Sequence, residues 1–138
     1  MSAQTRGDGE HANAVLVRRL FQAFRDGDLA TIQATVGDDV VWHFPGRTGG
    51  LAGDHHGREA VFRFLGRVME LSGGTFQLEL LDVVANDRRA VALFRGHATR
   101  SGRALDNPTC LHMRIADGRI VELWEFVWDL YHVDEFWA

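Results

Sequence analysis

The first half of the chain carries apolar residues at intervals of three and four, the spacing of amphipathic helices. Glycines follow each of these apolar runs and provide natural stops, while Asp8 and Asp28 are candidate caps for the first two helices. The pattern therefore predicts a helical hairpin and, after one strand, a third helix, over residues 10–26, 29–36 and 58–72.

From Thr75 onward the apolar residues recur at every second position, as in half-buried strands. The phase of this alternation shifts between Leu80 and Leu81, which is typical of a β-bulge that bends a long strand. An earlier strand ends at Pro45-Gly46 and leads into a glycine-rich loop, which we expect to border a pocket. The pattern and its turn signals predict strands over residues 39–44, 75–85, 90–100, 103–115 and 119–129.

Composition narrows the classes of protein that fit. A length of 138 residues indicates one domain over 1–138, with 1–9 expected as a flexible tail. A net charge of -4 without a basic stripe argues against nucleic acid as a partner, and the lack of a long apolar run argues against a membrane. The N-terminus has no apolar signal segment, so the expected location is cytoplasmic. The single cysteine, Cys110, excludes an internal disulfide, and the lack of lysine excludes Schiff-base chemistry.

Two stretches carry a resemblance to a known family. Val41-Trp42-His43 stands before Pro45-Gly46, and the run DGRIVELWEF covers residues 117–126. Together with the order of elements, they resemble the SnoaL-like polyketide cyclases of the ketosteroid isomerase and nuclear transport factor 2-like superfamily. The resemblance implies an α+β fold of the cystatin-like type, in which a cone-shaped, curved antiparallel or mixed sheet wraps around a long helix behind an N-terminal helical hairpin. It also implies an apolar cone that admits a small hydrophobic molecule.

Glu125 is the leading candidate for chemistry, because the resembled cyclases tend to hold an acidic residue at this position after Trp124. A carboxylate inside an apolar cone has its charged form disfavoured, which raises its pKa toward the range useful for proton transfer. Strand alternation leaves two alternatives open: Glu125 faces the cone, or it lies on the outer face of the sheet. If the Asp117-Gly118 turn is tight, His112 is a plausible cross-strand neighbour and a second catalytic candidate, unless it faces solvent.

The residue before Pro45 departs from the ketosteroid isomerases, which place their aspartate base there. This chain has Phe44 instead, which argues against the steroid isomerase reaction and leaves His43 as the nearest titratable substitute. Alternation predicts that Trp42 and Phe44 share one face of the strand and His43 the other. The candidate substrate-binding residues are Trp42, Phe44, His55, Phe24, Phe62 and Asp129.

The adjacent histidines His55 and His56 lie in the glycine loop, and together with His43 and Asp54 they invite a metal interpretation. A metal site needs three or more converging ligands, so we expect no metal and place His55 at the pocket mouth. No phosphate-binding glycine motif follows a predicted strand, and we expect no cofactor. Asp106 is expected at the surface.

Trp124, Phe126 and Trp128 alternate on one face, opposite Glu125. Such an aromatic stripe is either covered by the tail 131–137 or forms a two-fold interface, and we expect a homodimer through this sheet face.

Three functions remain open at this point. The first is a cofactor-independent acid/base enzyme, a cyclase or isomerase, that acts on a small hydrophobic carbonyl compound with Glu125 as base and His112 or His43 steadying the enolate oxygen. The second is a non-catalytic protein that binds a small ligand or a partner. The third is an epoxide hydrolase, which needs an arginine between two carboxylates and has these candidates: Arg95, Arg114, Asp106 and Asp129.

Overall fold

A computed structural model describes residues 9–138 as helices packed on a single mixed sheet. The helices are α1 (Ala12–Asp26), α2 (Leu29–Thr35), α3 (Arg58–Leu71) and α4 (Leu130–Trp137). The strands are β1 (Val36–Phe44), β2 (Gly53–His56), β3 (Gln77–Ala85), β4 (Arg89–Arg100), β5 (Arg103–Ala116) and β6 (Arg119–Val127). This architecture confirms the predicted α+β class.

The strands lie in the order β2-β1-β6-β5-β4-β3. The last four strands form the predicted antiparallel meander, and β1 pairs with β6 in parallel, which makes the sheet mixed. β1 is thereby brought beside β6, although Trp42 of β1 and Glu125 of β6 stand 83 residues apart in sequence.

One face of the sheet carries the buried side chains of the core, and we call it the inner face. α1 packs on β3 and β4, α3 on β1 and β2, and α4 on β5. The strands show why: β4 and β5 bury alternate side chains over most of their length, and buried residues such as Phe94, Leu111 and Leu123 form one core with the apolar stripe of α1. The opposite side of the sheet is the outer face.

Two bulges set the register of the long strands. One shifts the pairing of β3 between Leu80 and Asp82, where the sequence predicts it. The other places Val121 as an extra residue of β6, because Ile115 pairs with Ile120 while Arg114 pairs with Glu122. This second bulge is not predicted, and it decides which residues of β5 and β6 lie opposite each other.

Several boundaries differ from the predictions. The second helix ends at Thr35, and β1 begins at Val36, three residues earlier than expected. The structure caps α1 with His11, whose Nδ1 accepts the Asn13 N–H, while the predicted cap Asp8 and most of the expected tail lie outside the described residues. None of the helices in residues 9–138 is both long and apolar enough to cross a membrane.

The predicted glycine loop contains the unpredicted strand β2, and the C-terminal tail contains the unpredicted helix α4. The loop and α4 are in direct contact. Asp134 of α4 accepts the N–H groups of Arg47 and Thr48, and a Cβ on Gly49 would lie 2.9 Å from the carbonyl oxygen of Trp137. Glycine is therefore required where the loop meets the helix, and the loop positions α4 so that Trp137 enters the core.

Candidate active site

The inner face and its helices enclose an apolar pocket of about 700 Å³, counting its open mouth. Helices, strands and the C-terminal tail all contribute to its wall, which consists of Leu20, Phe21, Phe24, Trp42, Phe44, Phe64, Leu65, Val68, Phe76, Leu78, Phe94, Asn107, Leu111, Glu125 and Trp137. Apart from the indole N–H groups of the two tryptophans, the polar groups that line the pocket belong to Glu125 and Asn107.

Glu125 is the one ionisable side chain among the described residues that line the pocket. It projects from the inner face of β6, opposite Leu111 of β5, and its Oε1 accepts the indole N–H of Trp42 at 2.9 Å. Burial among apolar groups disfavours the carboxylate and raises the pKa of Glu125 to about 7, although the Trp42 hydrogen bond opposes the rise. The side chain remains partly accessible because it borders the pocket. A carboxyl group with this pKa is suited to give and take protons near neutral pH.

Trp42 is held for this contact by its own packing. It lies on the inner face of β1 beside Leu123 of β6, and its ring centroid is 5.2 Å from that of Phe64 in α3. Its hydrogen bond engages one oxygen of Glu125, which leaves the other oxygen for a proton or a ligand.

Asn107 is the second polar group of the pocket wall, and only 5% of it is exposed. It lies on the inner face of β5, and its Oδ1 has no hydrogen-bond partner among the described residues. Asn-Pro pairs are typical of turns, so Asn107 was not predicted to line the pocket. The one signal that could identify Asn107 is its phase, because it alternates with buried Leu105, Thr109 and Leu111.

The comparisons with known proteins identify the family of the chain. A family model described as a SnoaL-like domain matches residues 17–123, more than half of the chain. The chain belongs to the SnoaL-like domain family. Both the suspected family and the fold are thereby confirmed.

Three relatives show how far the likeness of this SnoaL-like domain extends. The Mycobacterium tuberculosis protein Rv0034 is 37% identical over 130 residues, which cover 94% of this chain and 98% of that protein. The structure of Bal32a, from a soil-derived mobile gene cassette, is 41% identical with a TM-score of 0.88, covering 92% of this chain and 97% of that one. TerC, co-crystallized with polyporic acid, has a TM-score of 0.80 at 22% identity, covering 91% and 98%, and this likeness shows the fold alone.

The predicted substrate-binding residues divide into two groups. Phe24, Trp42 and Phe44 line the pocket of the SnoaL-like domain. Three other predicted residues do not line it: Phe62, His55 and Asp129.

Each of those three has a structural reason for lying elsewhere. Phe62 packs against the edge of the core. His55 stacks on Phe64 at a centroid distance of 4.5 Å and bonds through Nε2 to the Leu51 carbonyl, behind the pocket wall. Asp129 caps α4 by accepting the N–H of His132. The placement of these residues in the pocket was wrong.

The expected pairing of His112 with Glu125 was also wrong. His112 lies opposite Trp124, and directly opposed residues of antiparallel strands share a face. Its ring stacks on that of Trp124 with centroids 4.7 Å apart on the outer face. The Val121 bulge is one reason that the register could not be counted from the turn.

His43 occupies the outer face as well, as alternation predicts, and so does not reach the pocket. Its Nδ1 lies 2.7 Å from Asp54 and its Nε2 lies 2.7 Å from Glu122. Burial lowers the pKa of His43, but the hydrogen bonds to these two carboxylates outweigh burial and raise it. The hydrogen bond from His43 in turn lowers the pKa of Glu122 and of Asp54. This outer cluster is a set of paired charges.

The relay of an epoxide hydrolase is not assembled in the pocket. Arg95 pairs with Asp106, and Arg114 pairs with Glu122, both at exposed positions of the outer face. None of the described arginines lines the pocket. In the same part of the chain, no group of three or more His, Cys, Asp or Glu side chains could hold a metal ion.

The aromatic stripe is not covered by the tail. Phe126 is 58% exposed and Trp128 is 84% exposed, while Phe136 and Trp137 of the tail are buried on the inner side of the sheet. Trp124 is the exception in the stripe, because His43 and His112 stack beside it.

Proposed function

We propose that this chain is a cofactor-independent acid/base enzyme that acts on a small hydrophobic carbonyl compound, with Glu125 as the base. The observation that carries the proposal is a single carboxyl group, with a pKa of about 7, in the wall of an otherwise apolar pocket. Such a group is ionised in part at neutral pH, and its conjugate acid is strong enough to return the proton. The likeness to a putative SnoaL-like polyketide cyclase and the co-crystal of TerC with polyporic acid support a small molecule as the occupant.

The proposed reaction begins when the Glu125 carboxylate takes a proton from the carbon next to the carbonyl. The electron pair of that C–H bond forms a C=C bond, and the carbonyl π electrons move to oxygen, which gives an enolate. The enolate carbon then attacks a second carbonyl of the same molecule and closes a ring. Where a C=C bond of the substrate is conjugated with the enolate, the electron pair instead takes up a proton at the far end of that bond, which isomerises the substrate. In both cases Glu125 gives its proton back, to the new alkoxide oxygen or to carbon, and the carboxylate is restored.

The two histidines proposed to steady the enolate oxygen lie on the outer face and cannot take this role. Trp42 is the donor nearest to Glu125. Its N–H bonds strongly to the carboxylate and more weakly to the protonated acid, because charge-assisted hydrogen bonds are the stronger ones. The donor is therefore released toward the substrate oxygen as negative charge develops there.

The test measures exchange of the α-protons of 2-acetylnaphthalene for deuterium in D2O by NMR. The wild-type chain should accelerate exchange, with a rate that rises as pH rises through about 7 and Glu125 ionises. Glu125→Gln should lower the rate by about 10²–10⁴-fold, the usual contribution of a general base. Glu122→Gln is the matched control, because Glu122 lies on the same strand but on the outer face, and it should leave the exchange rate unchanged.

A second candidate function is binding without catalysis, and the apolar character of nearly the whole pocket wall favours it. Saturable binding of 2-acetylnaphthalene without accelerated exchange at any pH would establish this function instead. Exchange that Glu125→Gln leaves intact would contradict the assignment of Glu125.

We also propose that the outer face forms a homodimer. On the outer face, Phe126 of β6 lies beside Cys110 of β5, which in turn lies beside Leu93 of β4. The two outer members of this apolar row, Phe126 and Leu93, are exposed. A self-complementary patch of this kind is sufficient for a two-fold interface. Analytical ultracentrifugation should show a dimer that Phe126→Arg converts to a monomer. A monomeric wild type at high micromolar concentration would disprove the proposal.

A further inference from the structure

Asn107 differs from the other fully buried polar residues of the described chain. Those residues are Thr35, Ser72 and Thr109, and each donates its hydroxyl to a backbone carbonyl two or three residues away. The Asn107 carboxamide has no such arrangement, because its Oδ1 is buried without a partner. Buried polar groups in native proteins are nearly always hydrogen-bonded, so the exception calls for a physical reason.

An unpaired buried amide destabilises the folded chain relative to an apolar side chain of similar shape, such as leucine. Leucine or another aliphatic residue would also match the neighbours of Asn107 in the pocket wall, which are mostly apolar. The carboxamide is thus a cost to folding, at a position that faces a cavity open to ligands. This combination is typical of a group that is satisfied only when a ligand is bound.

Glu125 and Asn107 lie at different positions along the direction of the strands. Glu125 lies opposite Leu111, and Asn107 stands four residues before Leu111 on the same face, on the order of 13 Å along the strand. Beside Asn107, its register partner Gly96 has no side chain, and the ring of Phe76 packs over it, within 3.2 Å of where a Cβ would be. Thr109 lies between Asn107 and Leu111 on the same face, but it donates its hydroxyl to the backbone carbonyl of Asn107 and does not line the pocket, so no other polar group of the pocket lies between the two anchors.

We propose that Asn107 is the second anchor of the pocket and hydrogen-bonds a hydroxyl group at the end of the ligand remote from Glu125. The inference rests on the proposed function and specifies its substrate class: an elongated apolar carbonyl compound with a hydroxyl at the opposite end. A hydroxyl suits this site because it donates and accepts, and the broad terminal torsion of asparagine can present either its oxygen or its NH₂ group. A charged group does not suit it, because no ionisable side chain other than Glu125 lines the described pocket.

The experiment compares two fluorescent probes, 2-acetylnaphthalene and 6-hydroxy-2-acetylnaphthalene, by titration to obtain Kd. The wild type should bind the hydroxylated probe about ten-fold more tightly, the effect of one hydrogen bond to a buried partner that is otherwise unpaired. Asn107→Leu should abolish this preference. Glu125→Gln is the matched variant at the other anchor and should keep the preference, because the hydroxyl contacts Asn107.

A second variant guards against overpacking by leucine. Asn107→Ala should also lose the preference, and both variants should melt no more than a few degrees below the wild type, because the Asn107 Oδ1 makes no hydrogen bond that could be lost. A large fall in melting temperature for both would show that the amide is already paired in the unliganded protein, which overturns the inference.

Three binding results are decisive. Equal binding of the two probes by the wild type overturns the inference while leaving the proposed function intact. A preference that survives Asn107→Leu but disappears in Glu125→Gln assigns the hydroxyl to Glu125 and also overturns it. Failure of both probes to bind, together with no deuterium exchange, counts against the proposed function as well as the inference.

Discussion

Glu122 and Glu125 lie three residues apart on β6 and experience opposite surroundings. On the outer face, Glu122 has His43 at 2.7 Å and Arg114 at 3.3 Å, and the hydrogen bond from His43 above all lowers its pKa. On the inner face, Glu125 has one neutral donor and no counter-charge, and burial raises its pKa to about 7. The difference shows that pairing fixes the charge of one carboxylate, while isolation makes the other able to exchange a proton.

The same contrast separates the two histidines that flank Trp124 on the outer face. Both ring nitrogens of His43 face carboxylates, which only accept, so His43 must donate from both and carry a positive charge. His112 faces Arg89, which only donates, so its Nε2 must accept and the ring is neutral. Burial and then the Arg89 charge lower the pKa of His112, in agreement with this assignment. The outer face therefore carries a fixed pattern of charges.

The largest expected effect tests the isolation of Glu125. Its pKa is about 7 when folded and about 4.3 when unfolded, so the native state retains a proton that the unfolded state loses, and this contribution to stability falls as pH rises between those values. The total change is about 4 kcal/mol at 1.36 kcal/mol for each pKa unit. Glu125→Gln should therefore match the wild type near pH 4 and exceed its stability by about 4 kcal/mol near pH 8.

Urea denaturation at both pH values measures this effect. Glu122→Gln is the control on the paired side of the comparison, and it should lower stability near pH 8, because it removes a carboxylate that favours the folded state. Parallel stability curves for the wild type and Glu125→Gln would show that the pKa of Glu125 is normal and that the two faces do not differ in this way.

Trp42→Phe probes the single hydrogen bond that holds the inner carboxylate. The change removes the indole N–H and keeps an aromatic ring beside Phe64, so the pKa of Glu125 should rise above 7. The variant should lose about 1.5 kcal/mol of stability when Glu125 is ionised, the usual value for a hydrogen bond to a charged group, in addition to the packing lost with the smaller ring. The pH profile of deuterium exchange should move to higher pH, and an unmoved profile would show that Trp42 does not control the proton.

Much of the fold could be predicted because it depends on local period and composition. The Leu80–Leu81 phase shift identified the β3 bulge, and the glycines after each apolar run identified the helix ends to within a few residues. The second half of β1 and the four-strand meander were predictable for the same reason. The helix α4 was missed because it is only eight residues long and its stability comes from burying Phe136 and Trp137 and from contact with the glycine loop.

The site was harder to predict because it depends on which face a strand turns inward. Alternation grouped Glu125 with Leu123 but could not tell the pocket from the solvent, and that choice comes from the parallel pairing with β1, which only the tertiary structure supplies. His112 was misplaced because register decides cross-strand neighbours, and an unpredicted bulge at Val121 changes the register. Asn107 was missed because Asn-Pro is common in turns, whereas here it continues a fourteen-residue strand.

The smallest expected change in stability is that of His43→Gln, which removes a paired charge from the outer face. The raised pKa of His43 means that its contribution to stability is fully present below the unfolded value of about 6.5 and is lost as pH rises through the folded value. At low pH the ion pair is limited by Glu122, whose pKa is lowered in the folded state. The stability that Glu122 contributes is therefore lost as pH falls below its unfolded pKa of about 4.3. Between these limits, near pH 5.5, the variant should be less stable by about 1 kcal/mol or less, as for other partly exposed ion pairs.

Urea denaturation near pH 5.5 and near pH 8.5 separates this effect from that of Glu125. The loss caused by His43→Gln should shrink at the higher pH and at high salt, since it comes from charge pairing at the surface. In the double variant with Glu125→Gln, the two effects should add, because the side chains lie on opposite faces of the sheet and share no partner. A strong coupling between them would mean that the outer charges reach the inner carboxylate, and the inner pKa would then depend on pairing as well as on burial.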